Sequence, residues 1–507
     1  SRFASETSLL GPCSNDGNQS CAVLKYFGFA NGLRERFVWN GIGDIVIEWL
    51  ARGSQKEDDS ARWLNHFHDP LKQWDKAGLS DMASGQSALL WAQSYGGSQW
   101  PLTDDWSWQR TRKLFHLALT SPYPDMRSMF FAETFRGLGQ QMHLLQDMAV
   151  PHHARNDAHP MGSFMGWTCK VFGNSNCSFF EVWAANEYPD LDVLKASFPT
   201  PLRPVHVVYN SPAVTSLAPI TQLSDADFYD GTNQSIAFLM TTPTMPVHFG
   251  LAEYSNANFF SEDTINLAGV WTSDKHSFPF PNVQSTNLTE LIASNVLPTT
   301  VIAEDGVRDT GLWVKKTGDG ETFDHLAKSG YTTNYVREMN SSGYEYNLSF
   351  ILDEACHRDY VGKLIPLAVG YSAELLNYFF RGDIDIDLGG QGSDEFIIKN
   401  NHANESMKGQ FSLYADDNAG TRSLVGVTQD ISISSGGESM PTAFTMPSTS
   451  LQYALVFQGK MGNEDGTVAG RVGRKRWGRE EWDHGLTGNH TWIRYPKDFT
   501  QAIQSAD

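Results

Sequence analysis

The sequence predicts a mainly α-helical domain followed by a C-terminal all-β sandwich, and three observations predict it. The run from Arg127 to Gln141 contains no proline and reads as one long, mostly apolar helix. A second helical pattern spans Leu352 to Arg381, where Val361, Leu364, Ile365, Ala368, Ser372, Leu375, Leu376 and Phe379 share a face and Pro366 is expected to kink it. After Gly382, expected to terminate that helix, short alternating stretches separated by Gly, Asn and Asp take over. The chain is therefore read as a helical domain over 1–382, with loop insertions at about 190–350, and a β-sandwich over 383–507.

At 507 residues the chain exceeds one ordinary domain, and 40% hydrophobic residues with 15 Trp and 30 Phe supply a large core. A formal charge of −20 argues against nucleic acid as a partner, which calls for a basic patch, and suits attraction of cations. No run of 18 or more apolar residues occurs, so no transmembrane segment is expected. Cys13 and Cys21 bracket one short polar loop, and Cys169 and Cys177 another. Each pair reads as a disulfide staple of an oxidising compartment, with Cys356 left as a buried free thiol. The first residue is Ser1, which reads as an exported protein whose leader has been removed.

The chemistry concentrates at Met142–Asn156. His143 and Asp147 are four apart, so on a helix they project from one face, with Gly139 a turn below leaving room for something to approach. Pro151 ends that helix, and His153 follows on the exit loop. Two imidazoles and a carboxylate suit Zn²⁺. A surface His/Asp pair bonded to itself is the plainer alternative, but the apolar surroundings favour a buried pair that needs a partner. Upstream, Glu57, Asp58 and Asp59 cluster before Trp63-Leu64-Asn65-His66-Phe67-His68-Asp69-Pro70, a plausible ligand loop.

Together these residues resemble the bacterial zinc-dependent phospholipase C family. Its signature H-x-x-x-D-x-x-x-P-x-H-x-x-N is matched by His143, Asp147, Pro151, His153 and Asn156, and its H-F-x-D-P loop by His66 onward. Gln146 stands where the family often has Gly. The resemblance covers most of residues 40–190 by motif and reaches about residue 382 by pattern. It implies a phospholipase C / P1 nuclease-like helical fold for the catalytic domain. It also implies two or three Zn²⁺ per chain, held by His66, His143, Asp147, His153 and Glu181. Asp58 takes the role of the acid that orders or deprotonates the attacking water, with Glu57 and Asp59 as alternatives. Trp63 takes the place of an aromatic in the head-group pocket. The family pairs Glu181 with a His four residues earlier, where this chain has Cys177; His159 is chosen to fill that role, the Cys177 thiolate or water being the alternatives. The N-terminal Trp and His that complete the family's third metal have no match around Ser1.

The implied function is a secreted zinc metallophosphodiesterase. Its substrate is a phosphatidylcholine-type phospholipid at a membrane or micelle surface, and its products are diacylglycerol and a phosphorylated head group. A related S1/P1-type zinc nuclease is the nearest alternative. A surface or adhesion protein with a merely structural metal, acting through its β-sandwich, is the other. In the rest of the chain, short helices are expected around 249–262 and 286–295, and Asp225, Asp227 and Asp230 read as solvated loop acids.

Overall fold

The computed structural model describes residues 32–80, 84–93, 105–158, 180–181, 183–184, 219–232, 250–265, 278–281, 301–302, 308–309, 313–316, 321–329, 350–388, 395–445 and 452–473. Both expected disulfide loops, His159 and the helix expected at 286–295 lie outside these residues.

Asn40 and Gly41 both have positive φ (49° and 77°), as a two-residue hairpin turn requires. They join β1 (Arg36–Trp39) to β2 (Ile42–Ile45), with which it pairs. The apolar spacing of Ile42, Ile45, Val46, Trp49 and Leu50 predicts a helix stopped at Gly53, but Ile42 and Ile45 lie in this strand. That helix, α1 (Val46–Glu57), starts one residue later and buries Val46, Trp49, Leu50, Gly53, Ser54 and Glu57, the spacing of one helical face. Glu48 Oε2 accepts the Ile45 N–H at 3.2 Å, satisfying a donor at the helix start. Gly53, expected to stop the helix, lies inside it.

α2 (Ala88–Trp91) and α3 (Trp108–Thr120) precede α4 (Pro124–Asp147), whose first position is a proline, where the missing N–H costs nothing. α4 begins three residues before the expected start at Arg127 and ends at Asp147, short of the expected stop at Pro151. Phe135, Leu138 and Met142 are at most 1% exposed, and burying each contributes about 1.5–3 kcal/mol. The Val150 N–H closes a turn onto the Asp147 carbonyl at 2.8 Å, and Pro151 then opens the short α5 (Pro151–Ala154). His153 is thus on a helix rather than the expected exit loop, because a proline that cannot continue one helix is well placed to begin the next.

Within the region read as insertions, α6 (Leu251–Asn258) is buried along its whole length. Strands β3 (Val301–Ile302), β4 (Arg308–Asp309), β5 (Trp313–Lys316), β6 (Phe323–Ser329) and β7 (Phe350–Ile351) form two small sheets, β3-β4 and β5-β6-β7. β3, β4 and β7 are two residues each, too short to carry a readable period. α7 (Glu354–Phe379) is buried on all sides from Leu364 to Leu376, carries Pro366 internally and holds Cys356 as a buried free thiol. Gly382 does not cap it: the helix ends at Phe379, and a Cβ on Gly382 would lie 2.3 Å from Ala469 Cβ, so close packing is what demands glycine. Among the described residues no helix is long and apolar enough to cross a membrane.

The C-terminal part is β8 (Ile384–Leu388), β9 (Glu395–Asn400), β10 (Met407–Asp416), β11 (Arg422–Val427), β12 (Ile431–Ile433), β13 (Thr442–Ala443), β14 (Gln452–Met461) and β15 (Glu464–Gly473). β11-β10-β14-β15, with β12 also on β10, make one sheet, and β13-β9-β8 another. Ile384, Phe396 and Ile398 of the second share one core with Phe411, Leu413, Tyr453, Leu455, Phe457 and Ala469 of the first. The alternation from Leu424 to Ile433 predicts one strand, but the segment forms two, split at the turn between β11 and β12. Helices thus fill the N-terminal part and sheets the C-terminal part.

The described residues divide into two compact units that do not follow the chain. One draws on the described residues within 44–111 and 132–379, the other on those within 32–43, 112–131 and 380–473. Within the second, Arg112 makes a two-pronged ion pair with Glu464, both bonds 3.0 Å, and Arg381 Nη1 joins the same carboxylate at 2.8 Å. These buried charges bind the 112–131 segment to the sandwich strands.

Candidate metal centre

The site begins with two glycines. A Cβ on Gly53 of α1 would lie 1.9 Å from the Arg136 carbonyl oxygen, and one on Gly139 of α4 would lie 2.0 Å from the Leu50 carbonyl oxygen. The two helices meet backbone to backbone, so the room left by Gly139 is filled by α1. That contact brings Asp58, the residue after α1, opposite His143 and Asp147 in the last turn of α4. A 3-10 turn, Ser60–Asn65, then delivers His66 to the same place.

Four expected site residues converge here. His143 Nε2 lies 3.2 Å from Asp58 Oδ1 and 3.4 Å from Asp147 Oδ2. His66 Nδ1 lies 3.1 Å from Asp147 Oδ2 and 3.9 Å from Asp58 Oδ1. Asp58, His66 and His143 each offer one ligand atom within 4.8 Å of the others. Yet His143 Nε2, Asp147 Oδ2 and His66 Nε2, all buried, make no aligned hydrogen bond. Buried polar atoms gathered without satisfying one another are costly, and a cation among them removes that cost. The donor set, two imidazoles and two carboxylates, suits Zn²⁺.

Surrounding groups fix the rings. His153 Nδ1 donates to the His66 carbonyl at 3.0 Å, which leaves its Nε2 facing Glu181 Oε1 at 3.4 Å. His143 Nδ1 faces Ser54 Oγ at 3.4 Å, so its Nε2 is the atom turned to the carboxylates. Gln146, the departure from the motif, donates to Ser372 Oγ of α7 at 3.0 Å. Asn156, at φ 53°, holds Ser80 through both ends of its amide, at 3.2 and 2.8 Å. Trp63 is half-buried against Phe67, Leu79 and Ala158.

The three acids at 57–59 separate clearly. Glu57 is fully buried and taken up by Arg62 at 2.9 Å and Trp91 Nε1 at 2.8 Å. Asp59 is exposed and pairs with Lys56 at 2.6 Å. Asp58 alone, with its side chain 58% exposed, touches the histidines and solvent together. Its surroundings push its pKa up, but the His143 charge outweighs them and holds it below the usual carboxylate value.

Burial lowers the pKa of His143, but the Asp147 and Asp58 charges more than reverse this and raise it to about 9. Burial raises that of Asp147, and His143, His153 and His66 carry it well below the carboxylate range. In the metal-free fold, His143 therefore contributes stability that is complete below 6.5 and lost as pH rises through about 9. Asp147 contributes stability present above 3.8 and lost as pH falls through its depressed value. A cation binding there displaces the His143 proton. Zinc uptake by stripped protein is expected to tighten between pH 6.5 and about 9, up to about tenfold per pH unit for each proton released. Calorimetry in two buffers of different ionisation enthalpy reads the proton release, and affinity flat across that span would exclude the imidazole as a ligand.

Sequence reading missed two buried clusters. His68, fully buried, bonds Ser87 Oγ and Asp225 Oδ2, both at 2.8 Å, and Trp74 Nε1 donates to the same Asp225 oxygen at 2.8 Å. Asp225 is thus 0% exposed and not the solvated loop acid expected. The atoms resemble a nucleophilic triad, but Ser87 is only 2% exposed, so substrate has no path to it. The other cluster gathers His152, Asp157 and Glu262. No local signal marks either, since Asp225 lies 157 residues from His68 and Glu262 more than a hundred from His152.

No family model matches the chain, and no curated protein matches its sequence. Among solved structures, the alpha-toxin of Clostridium perfringens, isolated from an avian strain, is similar at 13% identity over 93% of this chain and 90% of that one, with a TM-score of 0.24.

Proposed function

We propose that the chain is a secreted zinc-dependent phosphodiesterase that hydrolyses phosphatidylcholine-type phospholipids at membrane or micelle surfaces to diacylglycerol and a phosphorylated head group. The observation that carries this reading is the convergence of Asp58, His66, His143 and Asp147, with His153 facing Glu181. It agrees with the motif H-x-x-x-D-x-x-x-P-x-H-x-x-N.

His66, His143 and Asp147 would hold one zinc, and His153, Glu181 and Asp147 would hold another. His159, outside the described residues, is proposed as the remaining ligand beside His153. Zinc bound here supplies a water of lowered pKa and neutralises charge developing on phosphate oxygens. Asp58, ionised at neutral pH and open to solvent, accepts a proton or hydrogen bond from the attacking water. Glu57 and Arg62 brace the turn that presents His66. Trp63 is proposed to pack its exposed part against the head group. The −20 charge disfavours a polyanion, which is why phospholipid is chosen over single-stranded nucleic acid.

The test is release of phosphocholine from a phosphatidylcholine emulsion, with chelator, after zinc is restored, and beside single-stranded DNA. Zinc-dependent phosphocholine release supports the proposal. Cleavage of DNA alone would make the chain a nuclease of the S1/P1 type. Bound zinc with neither activity would leave the metal structural.

A further inference from the structure

We infer that His152, Asp157, Glu262 and His357 form a second, closed zinc site, structural in character, joining α5, the 3-10 turn Glu262–Thr264 and α7. It is separate from the proposed catalytic residues and does not depend on the activity assigned to them.

The four side chains come from three distant segments and meet in the interior. His152, Asp157 and His357 are 2–3% exposed, and the Glu262 side chain 13%. Ligand atoms of His152, Asp157 and Glu262 lie within 4.8 Å of one another. His152 Nε2 abuts Glu262 Oε2 and lies 3.9 Å from Asp157 Oδ2. From the other side, His357 Nε2 points at Glu262 Oε1 from 3.7 Å, too far for a hydrogen bond, and makes none elsewhere. An imidazole nitrogen buried to this degree and left without a bond calls for a partner.

The scaffold that aims these groups is built independently of any ion. The Asp157 N–H donates to the His152 carbonyl at 3.0 Å, closing the loop over Asn156 and turning both side chains the same way. Arg155, fully buried, donates to Thr264 Oγ1 (2.5 Å) and the carbonyls of Asn256 (2.6 Å) and Phe280 (3.0 Å), which fixes the Glu262 turn beside α5. The His357 ring is held between Phe180 and Trp183, each with its centroid 5.9 Å away.

Two nitrogens and two carboxylates match a borderline ion such as Zn²⁺ better than Ca²⁺, which takes six to eight oxygens. Four protein ligands and burial leave no position for substrate, the pattern of a structural site. By contrast, Asp58 keeps the first centre open to solvent. Without an ion, one buried carboxylate would have to serve two imidazoles while Asp157 stayed nearby, a costly arrangement.

The experiment measures zinc per chain, and cobalt(II) absorption after metal exchange, in the full chain and four variants. His143→Gln and Asp147→Asn combined with His153→Gln disable both ions of the proposed catalytic centre, and this background should keep zinc and show the intense visible bands of tetrahedral cobalt. Adding His357→Gln or Glu262→Gln should remove about one further equivalent, abolish those bands and end the fall in Tm on chelation. Where either fails to fold, Asp157→Asn in the same background reads the same quantities. A background that holds no metal, or second-cluster variants that keep their zinc and cobalt bands, would overturn the inference. The cluster would then be an imidazolium–carboxylate network alone. Failure of phospholipid hydrolysis moves neither readout.

Discussion

His143→Ala and Asp147→Ala are each expected to lower hydrolysis on the order of a thousandfold and to remove about one zinc per chain. Both side chains stand in the last turn of α4 with buried, unsatisfied ligand atoms 3.4 Å apart. Losing one deletes a bond and leaves the other charge buried beside His66 without its counterpart. Ser54→Ala, which removes only the group facing the far side of the His143 ring, should cost about ten- to a hundredfold. Metal analysis beside kcat/KM on a soluble phosphodiester separates the cases. Normal zinc and full activity in either ligand variant would end the metal reading of α4.

Gly139→Ala is expected to destabilise the protein by about 3 kcal/mol, at the upper end of overpacking costs, and to lower activity with it. The added methyl would fall 2.0 Å from the Leu50 carbonyl oxygen and 3.0 Å from Gly53 Cα, backbone atoms that cannot rotate away. α1 must then move off α4, carrying Asp58 away from His143. Gly362→Ala, in α7 with nothing within 4 Å of its new Cβ, should instead be neutral or stabilise by up to about 1 kcal/mol. Urea titration of the two variants measures the contrast. If Gly139→Ala unfolds like the parent, the helices are not in backbone contact and Asp58 is not positioned by them.

These two variants also mark what could be read early. His143 and Asp147 are neighbours by helical period alone, so their pairing needs no knowledge of the fold. Gly139 could be noticed as an opening on the same face, but not what enters it. The acids at 57–59 show the limit more sharply. They differ little in sequence, and only Arg62 and Trp91 closing on Glu57, and Lys56 on Asp59, leave Asp58 facing the histidines. Reading Gly53 and Gly382 as helix stops failed for a common reason. Both are glycine because another chain segment passes within a methyl's reach, which is a long-range demand.

By itself, the sequence determined the elements whose signals are local. These are the α4 face with His143 and Asp147, the long apolar α7, and the alternating strands after Gly382. Period and turn chemistry act within a few residues, so one chain suffices to read them. Only the tertiary structure decided which distant residues meet: Asp58 with His143 through two glycines, His68 with Asp225, and His152 with Glu262 and His357. Those meetings depend on how whole faces pack, and a lone buried histidine or carboxylate looks the same in sequence whatever it finally touches.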